Sequence, residues 1–297
     1  MRRLVLVVAA LLALAGCGGT MHPTAPGAAS TAATPTIQRY VALGDSYTAA
    51  PYVYLTDVAN GCLRSNDNYP AQLAKKLHVG KLVDVSCSGA TSNDLVQRQH
   101  TFQKQTIAPQ LDAVTADTNL VTLGMGGNDF GLFGSLVGTC PISGPGGRVF
   151  GPGKGVRCGQ VDVAKARSDI QAIGRLLERD LVRIQKKAPK ATVVLVGYPR
   201  ILSPGKSCPK VVPVARADAV QLDGVTRLLN TTMRKAAAAT KSQFVDVYAA
   251  SEGHDACAGK QAWVNGTRTD TNRAAALHPF VAEQTAVADL IASLVRH

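Results

Sequence analysis

The chain reads as an α/β domain: a parallel sheet of about five strands with helices on both faces. Three observations predict it. Short β-rich runs alternate with stretches whose apolar residues recur every three or four positions, which is the helical period. The runs are apolar almost throughout, as strands buried on both faces are. The first three runs each end in a loop of glycine and small polar residues, where open parallel sheets gather their chemistry.

In chain order, Arg39–Leu43 is the first strand, and Gly44 closes it. Asp45-Ser46 follows where a helix would start, and both are usual N-cap residues. Tyr69–Val79 is helical, with Pro70 near its first turn. Leu82–Val85 and Asn119–Leu123 are the second and third strands, followed by "SCSGATS" at 86–92 and "GMGGNDF" at 124–130. The Gly- and Pro-rich section 130–158 reads as a long excursion over that edge. Within it, Phe130, Leu132, Phe133, Leu136 and Val137 form either an acyl groove or a buried helical turn. Gln160–Ala188 spaces Ile170, Ile173, Leu177, Leu181 and Ile184 as an amphipathic helix. Ala191–Gly197 is the fourth strand, Ala215–Thr240 a helix, Gln243–Tyr248 the fifth strand, and Pro279–Arg296 the last helix.

The N-terminus carries an address. Met1-Arg2-Arg3 precedes an apolar run, Leu4–Ala15, too short to span a bilayer and suited to a secretory leader. Leu14-Ala15-Gly16-Cys17 resembles a bacterial lipoprotein signal. Residues 1–16 are therefore expected to be removed and Cys17 to be acylated, giving membrane attachment on the outer face or later release. Residues 17–36 contain no Lys, Arg, Asp or Glu and read as a flexible tether of roughly 25 Å. Residues 37–297 are expected to form one domain.

Cysteine usage agrees with export. Of seven cysteines, Cys17 is set aside for the lipid, which leaves six: Cys62, Cys87, Cys140, Cys158, Cys208 and Cys257. Six cysteines outside the cytoplasm imply three disulfides, whose pairing the count leaves open. The chain has no C-x-x-C, so zinc has little to stand on. A net charge of +12 raises nucleic acid as a partner, but the basic residues are scattered and aromatics are only 5%. Anionic lipid, wall polymer or plain solubility fits that charge better. A monomer is expected.

A serine nucleophile needs a base, donors for an oxyanion, and a group that orients the base. Ser46 stands at a strand-to-helix turn. Gly89 has no side chain to keep a substrate oxygen from its N–H, and Asn128 offers an amide; the Ser46 N–H is a further donor. His278, just before the last helix, and His254, after the fifth strand, are the candidate bases. Asp45 is expected to brace the turn. No G-x-S-x-G surrounds any serine, and neither the Gly205-Lys206-Ser207 run nor the Gly124–Gly127 run completes a nucleotide-binding motif.

"GDSYT" at 44–48, "SGATS" at 88–92, "GGND" at 126–129 and "HP" at 278–279 fall in the order that marks the SGNH hydrolases, also called GDSL esterases and lipases. The resemblance runs from about residue 39 to the end. It is nearest to the secreted actinobacterial esterases, lipases and phospholipases A1, through "CLRSNDNYPAQLA" at 62–74 and Cys87 before Ser88-Gly89. It implies a flavodoxin-like SGNH domain and hydrolysis of carboxylic esters through an acyl-enzyme on Ser46. His278 is then the general base, and Ser46, Gly89 and Asn128 form the oxyanion hole. It implies neither metal nor cofactor, and the pairs Cys62–Cys87, Cys140–Cys158 and Cys208–Cys257. Much of the family has Asp three residues before the histidine, where this chain has Ala275. In the branch it resembles, a main-chain carbonyl there holds the histidine, so the Ala275 carbonyl is expected to do so, with Asp270 or Asp255 as carboxylate alternatives. Transfer of an acyl group to a glycan or wall polymer by the same dyad, and a non-catalytic solute-binding lipoprotein, are the competing readings.

Overall fold

The computed structural model describes residues 37–138, 140–145, 149–150, 158 and 161–296. The leader, Cys17 and the tether at 17–36 lie outside the described residues. The central sheet has five strands: β1 (Arg39–Gly44), β2 (Lys81–Asp84), β3 (Leu120–Gly124), β4 (Thr192–Val196) and β5 (Gln243–Val245). Every pairing is parallel, and the spatial order is β2-β1-β3-β4-β5, that of the flavodoxin-like doubly wound fold.

The helices are α1 (Ser46–Ala49), α2 (Tyr69–Lys76), α3 (Leu132–Val137), α4 (Val163–Lys187), α5 (Arg216–Ala239), α6 (Val247–Ala250) and α7 (Val281–Val295). Successive strand residues point to opposite faces, and the core divides accordingly. Val41 and Leu43 of β1 join a cluster with α4 and α5 residues such as Ile173, Leu177 and Leu229. Tyr40 and Ala42 join a second cluster with Leu73 of α2 and Val287 and Ile291 of α7. Both faces are covered, as the unbroken apolar runs require. Among the described residues no helix is long and apolar enough to cross a membrane.

Three expected boundaries move by three residues, each for a local reason. The helix expected over Tyr69–Val79 ends at Lys76, with Leu77 as its C-cap and His78 turned to φ +49°. The fifth strand stops at Val245 because the Asp246 carboxylate caps a one-turn helix, accepting the Ala249 N–H at 3.0 Å. The long fourth helix starts at Val163 because the Asp162 carboxylate accepts the Lys165 N–H. Leu132, Phe133 and Leu136 are buried, so this stretch is a buried helical turn; Phe130 alone of those described faces outward. The Val137 side chain and parts of the 130–158 excursion lie outside the described residues.

Because all five strands of the central sheet run one way, their following loops share one edge. The cysteine pairs at bonding distance are Cys62–Cys87, Cys140–Cys158 and Cys208–Cys257. The first joins the loops after β1 and β2, the second closes the excursion after β3, and the third joins the segments after β4 and β5. All three staple the edge that carries the polar loops.

Candidate active site

The turn after β1 is built by close approach. A Cβ on Gly44 would lie 2.2 Å from Thr48 Oγ1 and 2.7 Å from the Gly124 carbonyl, so only glycine lets β1 end there. The Asp45 N–H donates to Gly124 O at 2.9 Å, joining the ends of β1 and β3. Asp45 caps α1: its Oδ1 accepts the Tyr47 N–H at 2.9 Å. Its Oδ2 accepts the Tyr198 hydroxyl at 2.5 Å, and Tyr198 Oη in turn accepts the Gly127 N–H at 2.8 Å. One chain of polar atoms therefore joins the first loop, the end of β4 and the third loop. Burial pushes the Asp45 carboxyl up to about 7, with the Tyr198 hydrogen bond opposing that rise. Ser46, the first residue of α1, is 8% exposed.

The second loop is held against this turn. The Cys87 N–H donates to Gly44 O at 3.0 Å, and the Gln110 amide bridges the N–H and C=O of Gly44. Gly89 has φ +80°, a left-handed conformation that favours glycine. Among the described residues, neither its N–H nor that of Ser46 donates to an acceptor. The third loop is tied to the second. Asn128 Nδ2 donates one hydrogen to Ala90 O at 3.0 Å and keeps its other. The Asp129 carboxylate accepts the Ser92 N–H and hydroxyl, both at 3.1 Å. Burial pushes Asp129 up to about 6.

His278 reaches the same place from the far end of the chain. The Tyr47 hydroxyl donates to Leu277 O at 2.7 Å, and its ring centroid lies 5.3 Å from the imidazole. Gln284 at the start of α7 donates to Tyr47 O at 3.0 Å, and the Ala275 N–H donates to Pro51 O at 3.1 Å. Three ties thus hold the His278 turn against α1, with the imidazole beside the residue that follows Ser46. No hydrogen bond among the described residues joins Ser46 Oγ to the ring.

The orienting carbonyl differs from expectation. Nδ1 of His278 lies 2.7 Å from Ala276 O, not from Ala275 O. The Ala275 carbonyl is taken by the His278 backbone N–H at 3.2 Å and by Asn265 Nδ2 at 3.1 Å, closing a turn in which Leu277 has φ +59°. That turn swings the carbonyl two residues back, rather than three, under the ring. A carbonyl only accepts, so Nδ1 carries the proton and Nε2 is left with a free lone pair. Burial pushes the imidazole below its ordinary value, while the Ala276 bond works the other way.

The other candidates lie elsewhere. Asp255 is fully buried and accepts from the Ser203 hydroxyl and the Cys257 N–H; Asp270 caps the Asn272 N–H. His254 Nδ1 bonds Gln261 O at 2.7 Å, and its ring stacks on Trp263 at 4.5 Å. Sequence reasoning missed Tyr198 entirely: it lies 153 residues from Asp45, and nothing local marks it.

The family model described as GDSL-like Lipase/Acylhydrolase matches residues 42–282. The chain is 38% identical over 250 residues to Lipase 2 of Streptomyces coelicolor, covering 83% of this chain and 80% of that one. It is 32% identical to an esterase of Streptomyces scabiei, covering 91% and 85%. Its fold is similar to that of an extracellular lipase from Streptomyces rimosus, with TM-score 0.68, 28% identity, and coverage of 88% of this chain and all of that one. It is also similar to a phospholipase A1 from Streptomyces albidoflavus, with TM-score 0.65, 25% identity, and again 88% and 100%.

Proposed function

The chain belongs to the GDSL-like lipase/acylhydrolase family and is an esterase or lipase of it, and from that premise we propose that it hydrolyses carboxylic esters through an acyl-enzyme on Ser46. Nε2 of His278 takes the Ser46 hydroxyl proton as the oxygen attacks the ester carbon. The oxyanion accepts from the N–H groups of Ser46 and Gly89 and from the spare hydrogen of Asn128 Nδ2. The imidazolium, steadied by the Ala276 carbonyl on Nδ1, then gives its proton to the leaving alkoxide. Water repeats the sequence on the acyl-enzyme and frees the acid. The Ser46–His278 hydrogen bond forms with substrate in place, since such bonds are often long or absent in empty sites.

One observation carries this reading: an imidazole with its proton held on Nδ1 by a carbonyl, pinned beside Tyr47, at the edge where the N–H groups of Ser46 and Gly89 stand unengaged. The test is labelling with a fluorophosphonate, followed by peptide mass mapping. The label is expected on Ser46 and absent from Ser46→Ala, which also loses the acyl-enzyme burst with p-nitrophenyl esters. A Ser46→Ala protein with near wild-type turnover overturns the reading, and acylated product from an added sugar acceptor points to transfer instead.

We further propose export, removal of residues 1–16, and membrane attachment through acylated Cys17, with residues 17–36 as the tether and 37–297 as the catalytic domain. The leader composition supports this, as do the three cysteine pairs and the extracellular lipase of Streptomyces rimosus among the similar proteins. An intact Met1 on the membrane-bound protein would argue against it.

A further inference from the structure

We propose that the loops around the candidate site form a docking surface for an anionic lipid bilayer. Ten large apolar side chains are exposed among the described residues, and six of them stand on the loops after β1, β2 and β3: Tyr54, Leu55, Val58, Val96, Phe102 and Phe130. Among the described residues all the exposed large aromatics are in this set, and Phe102 is the most exposed of them, at 78%. Scattered single apolar residues are ordinary on a surface; clustering on the functional edge is not.

The loops touch in sequence around the rim. A Cβ on Gly61, three residues past Val58, would meet Thr101 Oγ1 at 2.5 Å, so the loop after β1 lies on the Phe102 hairpin. That hairpin pairs Gln99–His100 with Thr106–Ile107. A Cβ on Gly89 would lie 3.4 Å from the Phe102 ring, which therefore leans over the proposed oxyanion loop. Val96 and Phe130 line one cavity of about 480 Å³ beside Asp129. The apolar tips thus run from the loop after α1, across Gly89, to the residue two places past Asn128.

Charge selects the occupant. Residues 98–104, Arg98 to Lys104, hold two exposed cations and no acid at the tip that carries Phe102, while the neighbouring first loop holds one exposed acid, Asp57; the chain's net charge of +12 stays positive once Arg2 and Arg3 leave with the leader. Exposed aromatics interleaved with cations suit a headgroup layer of negative charge, where the rings enter the acyl boundary and the cations pair with phosphate. A neutral soluble ester gives the cations no such role. The purpose of the surface rests on the reading of Ser46 as nucleophile; its existence does not.

The test uses the mature chain, residues 17–297 carrying Cys17→Ser, so that neither the apolar leader nor an acyl anchor contributes, with vesicles of phosphatidylglycerol and phosphatidylcholine or of phosphatidylcholine alone. Sedimentation is expected to show preference for the anionic vesicles that weakens at high salt. Partition is expected to fall about tenfold or more in Leu55→Ser and in Phe102→Ser, the burial lost from one large apolar side chain. Leu55→Ser is expected to hydrolyse p-nitrophenyl acetate within about twofold of the parent, which shows that it folds. Equal binding by parent and variants, or no binding by the parent, overturns the proposal. So does a parent dimer that Leu55→Ser dissociates, which would assign the patch to a second copy. If vesicle binding falls as expected but no protein turns over the soluble ester, docking stands and the catalytic reading fails.

Discussion

Tyr198→Phe removes one oxygen and leaves the ring, so it isolates the polar chain that joins Asp45 to Gly127. The ring keeps its edge contacts with Tyr47, centroids 5.2 Å apart, and with Phe133, 4.8 Å apart. What is lost is the acceptor for the buried Gly127 N–H and the donor to the buried Asp45 carboxyl. A buried donor left unpaired costs about 1–3 kcal/mol, and a hydrogen bond to a charged group contributes about as much. The total, about 2–5 kcal/mol, lowers Tm by roughly 5–15 °C in a domain of this size. Without the Tyr198 donor, Asp45 also rises further above its present value of about 7. The first and third loops lose the tie through Tyr198 and keep the Asp45 N–H bond to Gly124 O, and because small misplacement of catalytic groups costs up to about 10² in rate, kcat should fall by about tenfold or more. Differential scanning calorimetry and p-nitrophenyl ester turnover read the two effects. A variant with wild-type Tm and wild-type kcat would refute the positioning role of this chain of atoms.

Three more outcomes are expected. Asn128→Ala should lower kcat by about 10²–10³ with a smaller change in KM, because it deletes one oxyanion donor; unchanged steady-state kinetics would remove Asn128 from the site. The acid limb of the kcat/KM profile should have its midpoint below the ordinary imidazole value of about 6.5, since burial disfavours the charged ring, and a midpoint above about 7 would contradict that environment. Glu283, at the start of α7, is 2% exposed, and burial pushes it up to about 8. Unfolded, it ionises near about 4.3, so between those values the native chain holds a proton that the unfolded chain lacks. Its contribution to stability is then fully present below about pH 4 and lost as pH rises towards 8. Glu283→Gln should flatten the fall in Tm between pH 5 and 8; equal slopes for the two proteins would mean that Glu283 is ionised in the native state.

Much of the fold was legible because it rests on local period. Unbroken apolar runs such as Tyr40–Leu43, and the three-and-four spacing of Ile170 to Ile184, state burial on two faces or one without reference to the rest of the chain. Ser46, Gly89, Asn128 and His278 could be picked out for a similar reason: each sits in a short block whose order carries information. The boundary errors at the start of α4 and the end of β5 came from side-chain caps, Asp162 and Asp246, that overrode the apolar pattern, and α2 stops short of Val79 where His78 takes a left-handed turn.

What the sequence determined by itself is the layer architecture, the number of strands in the central sheet and the set of residues offered at one sheet edge, since these follow from hydrophobic period and from where glycine falls. Tertiary structure alone decided which atoms meet there. Ala276 rather than Ala275 holds the imidazole because Tyr47 grips the Leu277 carbonyl and the turn closes on Ala275 O. Tyr198 meets Asp45 because β4 lies beside β3, and β3 beside β1, in the sheet. Such contacts depend on ångström-scale approach between segments far apart in the chain, and no local pattern encodes that distance.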